Sequence, residues 1–88
     1  MAAVRLILHG KVQGVFYRDW TVSTARGLGL TGWVRNLPDD TVEARLEGED
    51  AAIDRMIAAM QEGPPRARVD NIEREEVEPE GFGSFDRR

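Results

Sequence analysis

The residues best suited to chemistry lie between Gly10 and Arg18, in the run GKVQGVFYR. The run leaves an alternating apolar stretch (Val4, Leu6, Leu8) and enters a segment whose helical spacing begins near Tyr17. A glycine-bounded turn from strand to helix can aim several free backbone N–H groups at one point. The helix N-terminus adds about half a positive charge there, so an anion fits. Gln13, Gly14, Val15, Phe16, Tyr17 and Arg18 include no proline and all keep their N–H donors. Gly14 can adopt the positive φ that an inward-curled backbone needs. Arg18 adds a planar guanidinium that can grip a phosphate or carboxylate through two hydrogen bonds. The stretch reads as a phosphate cradle.

Other chemistries are excluded by what the chain lacks. It has no cysteine, hence no thiolate nucleophile, thiolate metal site or disulfide framework. His9 is its one histidine, so no multi-histidine metal centre can form within one chain. A net charge of −4 disfavours non-specific binding to nucleic acid, while leaving room for a local anion pocket that acts at contact range. The start, MAAVRLILHG, lacks signal-peptide architecture because Arg5 breaks its short apolar run. No stretch approaches the roughly 20 apolar residues of a membrane-spanning helix, so the expected location is cytoplasmic, away from the membrane. With 88 residues the expectation is one domain over residues 1–88.

The cradle needs elements to hold it. Residues 3–12 alternate, with Val4, Leu6, Leu8 and Val12 on one side and Arg5, Ile7, His9 and Lys11 on the other, as in a strand with one buried face. Tyr17, Thr21, Ala25 and Leu28 follow at helical spacing, and Gly27 and Gly29 supply a stop. Residues 30–37 and 41–48 read as two strands of a hairpin around Pro38-Asp39-Asp40, the second with Val42, Ala44 and Leu46 inward and Thr41, Glu43, Arg45 and Glu47 outward. Ile53, Met56, Ile57 and Met60 form one apolar stripe of a helix that Gly63-Pro64-Pro65 ends. In 66–77 the parity slips between Val69 and Ile72, which predicts a strand with a bulge or an early end. The order is β-α-β-β-α-β with room for a short terminal strand. Two helices can cover only one face of a sheet, so the fold class is α+β: a ferredoxin-like sandwich, with an antiparallel sheet of four or five strands.

Asn36 shares parity with Leu30 and Val34, so it lies on the core-facing side of its strand at the rim. Buried without a partner it would cost roughly 1–3 kcal/mol. Parity leaves two roles open for it: capping the turn that follows, or facing the cradle.

The segments GKVQGVFYRDWT and GLTGWVRNLPDDTVEARLEG, with the later GPPRARVDNI, resemble the acylphosphatase family in order and separation, and the resemblance runs from about Arg5 to Phe85. It implies a hydrolase that needs no metal or other cofactor, acts on the carboxyl–phosphate anhydride of small-molecule acyl phosphates and releases inorganic phosphate; a monomer is expected. By the same resemblance Arg18 is the phosphate-binding arginine, Asn36 holds the attacking water, and Gln13 through Tyr17 supply the amides around the phosphate. Three positions depart from the family's pattern. Asp39-Asp40 stands where Asp-Gly is usual in the hairpin turn, and Tyr17 replaces a common Phe. Phe85-Asp86-Arg87 puts a charge where the last strand usually has an apolar residue, which predicts a frayed terminus.

Several conspicuous residues have plainer readings. His9 shares parity with Arg5 and Lys11 and is expected on a solvated sheet face; Asp19 suits the helix dipole. Trp20 and Trp33 are expected to pack, and the acidic run from Glu73 to Glu80 to guard a strand edge. Two rival functions share this fold. A non-catalytic module binding a phosphorylated metabolite would keep the cradle and Arg18 without needing Asn36. An RNA-binding sheet would need exposed aromatics among basic residues, where the outward positions here are Arg5, Ile7, His9 and Lys11, then Thr41, Glu43, Arg45 and Glu47.

Overall fold

The computed structural model describes residues 1–88. Strand β1 (Ala2–Lys11) leads through the cradle to helix α1 (Tyr17–Gly27), then come β2 (Thr31–Asn36), β3 (Val42–Gly48), α2 (Asp50–Glu62), β4 (Arg68–Glu76) and β5 (Phe85–Arg87). The strands lie side by side in the order β4-β1-β3-β2-β5.

The core follows the two periodicities of the sequence. Val4, Leu6 and Leu8 of β1, Val34 of β2, and Val42, Ala44 and Leu46 of β3 are each 0% exposed. They join Tyr17 and Ala25 of α1 and Ile53, Met56 and Met60 of α2 in one apolar cluster, with Ile57 at its margin. Tyr17 is buried to its hydroxyl, which donates to the Met60 carbonyl oxygen at 2.7 Å and so ties the start of α1 to the end of α2. Burial pushes this phenol well above its ordinary pKa, so it stays a neutral donor. The predicted slip in β4 is a bulge: His9 pairs with Asn71 and Gly10 with Val69, leaving Asp70 as the extra residue. Only glycine fits at Gly10, where φ is 127° and a Cβ would sit 2.1 Å from the Arg68 carbonyl oxygen.

Three expectations need correction, and they share a cause. β5 runs parallel to β2 (Gly32↔Phe85, Val34↔Arg87), so the sheet is mixed rather than wholly antiparallel. The terminus is docked rather than frayed: Phe85 is 1% exposed, and the Arg88 N–H donates to the Val34 carbonyl oxygen at 2.8 Å. Nor is the outward face of β3 wet, since Glu43 and Glu47 are buried. β4 and β5 occupy opposite edges, so the chain between them crosses the face that the helices leave open. Its Glu80 and Gly81 N–H groups donate to the Glu47 carboxylate at 2.9–3.1 Å, and Arg45 donates to the same carboxylate at 2.9 Å. Burial works to raise the Glu47 pKa, but these donors outweigh it and hold the carboxyl below its usual range. Glu43, on the same face, is clasped by Arg5 and Arg35. Asp86, the charge in the last strand, points outward and accepts from the Ser84 hydroxyl at 2.7 Å.

Phe85 anchors the crossing. Phe85→Ala is expected to cost about 3–5 kcal/mol in urea unfolding, the range for removing a buried aromatic. A loss within experimental error would mean that the tail is only loosely held.

Candidate active site

The cradle is a backbone curl made by two left-handed residues, Gly14 at φ 72° and Phe16 at φ 61°. Between them Val15 turns its side chain into the core, 4% exposed, and pins the loop from below. Phe16 pays a conformational cost that glycine would avoid, so packing on both sides must hold it there. Its ring is left 75% exposed. The first helical hydrogen bond runs from the Trp20 N–H to the Phe16 carbonyl oxygen at 3.0 Å, and the N–H groups of Gln13 to Phe16 donate to no backbone acceptor. They are the open donors that an anion would fill.

The loop walls a cavity of about 260 Å³ lined by Gln13, Gly14, Phe16, Tyr17 and Arg18, and also by Asn36 from the end of β2. The structure thus brings together the arginine and the asparagine, separated by half the hairpin and a helix in sequence. Val15 alone among the sequence candidates does not line it. Arg18 is partly exposed, and its guanidinium donates to the Arg88 carbonyl oxygen at 3.0 Å, which fixes the direction of the side chain. Two buried side-chain polar atoms lack a partner, the Thr21 hydroxyl and Asn36 Oδ1; only Asn36 lines the cavity. An acceptor buried without a donor costs free energy, and a water molecule donating an O–H would recover it. Asn36 therefore faces the cradle rather than capping the turn.

The turn after Asn36 is organised without it. Leu37 N–H donates to the Thr41 carbonyl oxygen at 2.9 Å, and Asp39 accepts from both the hydroxyl and the N–H of Thr41, at 2.5 and 3.2 Å. These bonds, led by the hydroxyl, hold the Asp39 carboxyl below its ordinary range. Its contribution to the turn is complete above that range and lost as pH falls through the lowered value. Asp40 takes φ 71°, as the glycine usual at this place would.

Sequence reasoning missed the contribution of the tail. Arg87 lines the cavity and pairs with Asp19 at 2.8 Å, so Asp19 is a rim residue with a cationic partner as well as a first-turn anion. The only available signal was the tail's arginine content, and nothing in the sequence said that β5 would lie beside β2. The side chain of Gln13 also escaped notice: it donates to the Leu37 and Thr41 carbonyl oxygens at 2.9 and 2.8 Å. His9 lies elsewhere, paired with Glu73 at 2.5 Å on the sheet face. Trp20 packs on Tyr17 with ring centroids 5.5 Å apart, and Trp33 lies under the guanidinium groups of Arg35 and Arg88.

Replacing Asp40 by glycine is expected to stabilise the hairpin by about 0.5–1 kcal/mol, the relief of a left-handed aspartate less the extra freedom of glycine in the unfolded chain. Urea unfolding reads the change, and a loss of stability would show that the strain at φ 71° is smaller than the entropy cost of glycine.

The family model for acylphosphatase matches residues 4–87. The acylphosphatase of Rhodospirillum rubrum is 56% identical over 72 residues, 82% of this chain and 79% of that one. Among solved structures, an acylphosphatase from Coxiella burnetii superposes with a TM-score of 0.95 at 39% identity, covering 99% of this chain and 92% of the other. That of Bacillus subtilis gives 0.95 at 34% identity, over 98% and 97% of the two chains.

Proposed function

The chain belongs to the acylphosphatase family, and we propose that its cavity hydrolyses acyl phosphates with Arg18 and the Gln13–Tyr17 amides holding the phosphoryl group and Asn36 holding the attacking water. The family membership makes the protein a hydrolase of the carboxyl–phosphate anhydride, giving a carboxylate and inorganic phosphate. The division of labour among the residues is our reading.

The observation that carries it is the unpartnered Asn36 Oδ1 in a cavity that it shares with Arg18 and with residues of a loop whose N–H groups have no backbone acceptor. The donors would bind the non-bridging phosphoryl oxygens and hold them in the flattened, equatorial arrangement of the transition state, where the charge is spread over all three. Asn36 Oδ1 would accept one O–H of a water and aim its lone pair at phosphorus, in line with the departing carboxylate. That leaving group is weakly basic, so the reaction needs no general acid. Asn36 and Arg18 are both poor bases near neutral pH, and the water's remaining proton passes to a phosphoryl oxygen of the substrate itself. Cradle, arginine and asparagine all come from one chain, which supports action as a monomer. We place its work in the cytoplasm; no helix of the chain is long and apolar enough to cross a membrane.

Hydrolysis of benzoyl phosphate with no added metal tests the assignment. Arg18→Gln and Asn36→Ala are each expected to lower turnover by about 10²-fold or more, with folding checked by circular dichroism. Phosphate inhibition should weaken in Arg18→Gln and persist in Asn36→Ala. Full activity in Asn36→Ala would remove the water-holding role; phosphate binding without any turnover by the wild type would favour a non-catalytic phosphometabolite module.

A further inference from the structure

Gln13 belongs to the cradle loop, and its side chain reaches the turn beyond Asn36. The carboxamide has two N–H bonds, and both are used: one to the Leu37 carbonyl oxygen at 2.9 Å, the other to that of Thr41 at 2.8 Å. Two carbonyl acceptors leave no doubt which end of the amide faces them. These carbonyls stand at the two ends of the turn, one of them on the residue next to Asn36.

The sheet order explains why such a link matters. The cradle grows out of β1, Asn36 ends β2, and β3 lies between them. Pairing of β1 with β3 stops at Leu8↔Val42, and beyond that point β1 pairs only with β4, through Gly10 and Lys11. The pairing of β2 with β3 also ends there, at Asn36↔Val42. No backbone ladder therefore ties the cradle to Asn36 at the level of the cavity. Gln13 spans that gap with one side chain, onto a turn that holds a left-handed aspartate.

We propose that Gln13 is a positioning residue, whose side chain sets the distance between the phosphate held by the cradle and the water held by Asn36. The inference rests on the residue roles given above. An in-line attack tolerates little displacement, because the reacting atoms must start about 3–3.5 Å apart. Losing the strut would leave phosphate binding intact, since the cradle amides belong to the main chain, and would let the Asn36 end of the hairpin drift.

Benzoyl phosphate kinetics and inhibition by inorganic phosphate, measured for wild type, Gln13→Met, Asn36→Ala and the double variant, test this. Gln13→Met is expected to lower kcat by about 10- to 100-fold with the phosphate inhibition constant unchanged. The double variant should be no slower than Asn36→Ala alone, since the strut acts through Asn36 and has nothing to position once that side chain is gone. Losses that multiply in the double variant, a weakened phosphate inhibition constant, or wild-type kcat in Gln13→Met would each overturn the proposal. A wild type that turns over nothing would instead remove the underlying residue roles, and the proposal with them. Nitrogen-15 NMR of the wild type gives a second reading that needs no variant. The Gln13 side-chain amide protons should exchange slowly with solvent, and exchange as fast as that of an exposed glutamine would contradict the strut.

Discussion

A short run of backbone N–H groups that nothing else in the protein accepts from is the constraint around which this molecule is arranged. Such donors are ordinarily satisfied, because a peptide group without a partner is costly once water is excluded. Here the chain keeps those of Gln13 to Phe16 open by curling through two left-handed residues before entering α1. Glycine accepts that geometry freely at position 14. Phenylalanine does not at position 16, and the loop is held by burying Val15 on one side and seating Tyr17 under α2 on the other. The strain is local and the packing that maintains it is global.

Around this loop the other parts bring what an amide cannot supply. Arg18 carries full charge, Asn36 an acceptor, and the tail a carbonyl and a second arginine at the rim. Their sources are far apart in sequence, and the sheet order accounts for their meeting: β2 lies between β3 and β5, so its end collects residues from the hairpin and from the terminus alike. The tail reaches that edge only by crossing the open face. Glu47, a surface residue by parity, becomes a buried acceptor for the chain that passes over it.

Much of this was legible in the residues themselves. Alternation in β1 and β3, the stripe of Ile53, Met56 and Met60, and the parity slip before Ile72 report contacts between neighbours a few residues apart, and periodicity records those. The cradle was legible for the same reason, since glycine spacing and the coming helix are local facts. Asn36 was half legible: parity put it on the inward side of the rim, but not beside the cradle. Arg87, the carboxamide of Gln13 and the parallel pairing of β5 were not legible. Each depends on where a distant segment crosses the sheet, and Phe85-Asp86-Arg87 carries a charge that local reasoning assigns to a loose end. Burial of Glu43 and Glu47 was hidden likewise, because a polar side chain on a central strand becomes interior only when arginines and a crossing chain cover it.

Everything proposed for the site depends on main-chain amides of the cradle receiving the phosphoryl group. Titration of the nitrogen-15-labelled protein with inorganic phosphate measures this residue by residue. Saturable shifts centred on the amides of Gln13, Gly14, Val15, Phe16 and Tyr17 are expected, smaller in Arg18→Gln at the same phosphate concentration. Saturable shifts confined to other parts of the surface, with the cradle amides unmoved, would contradict it.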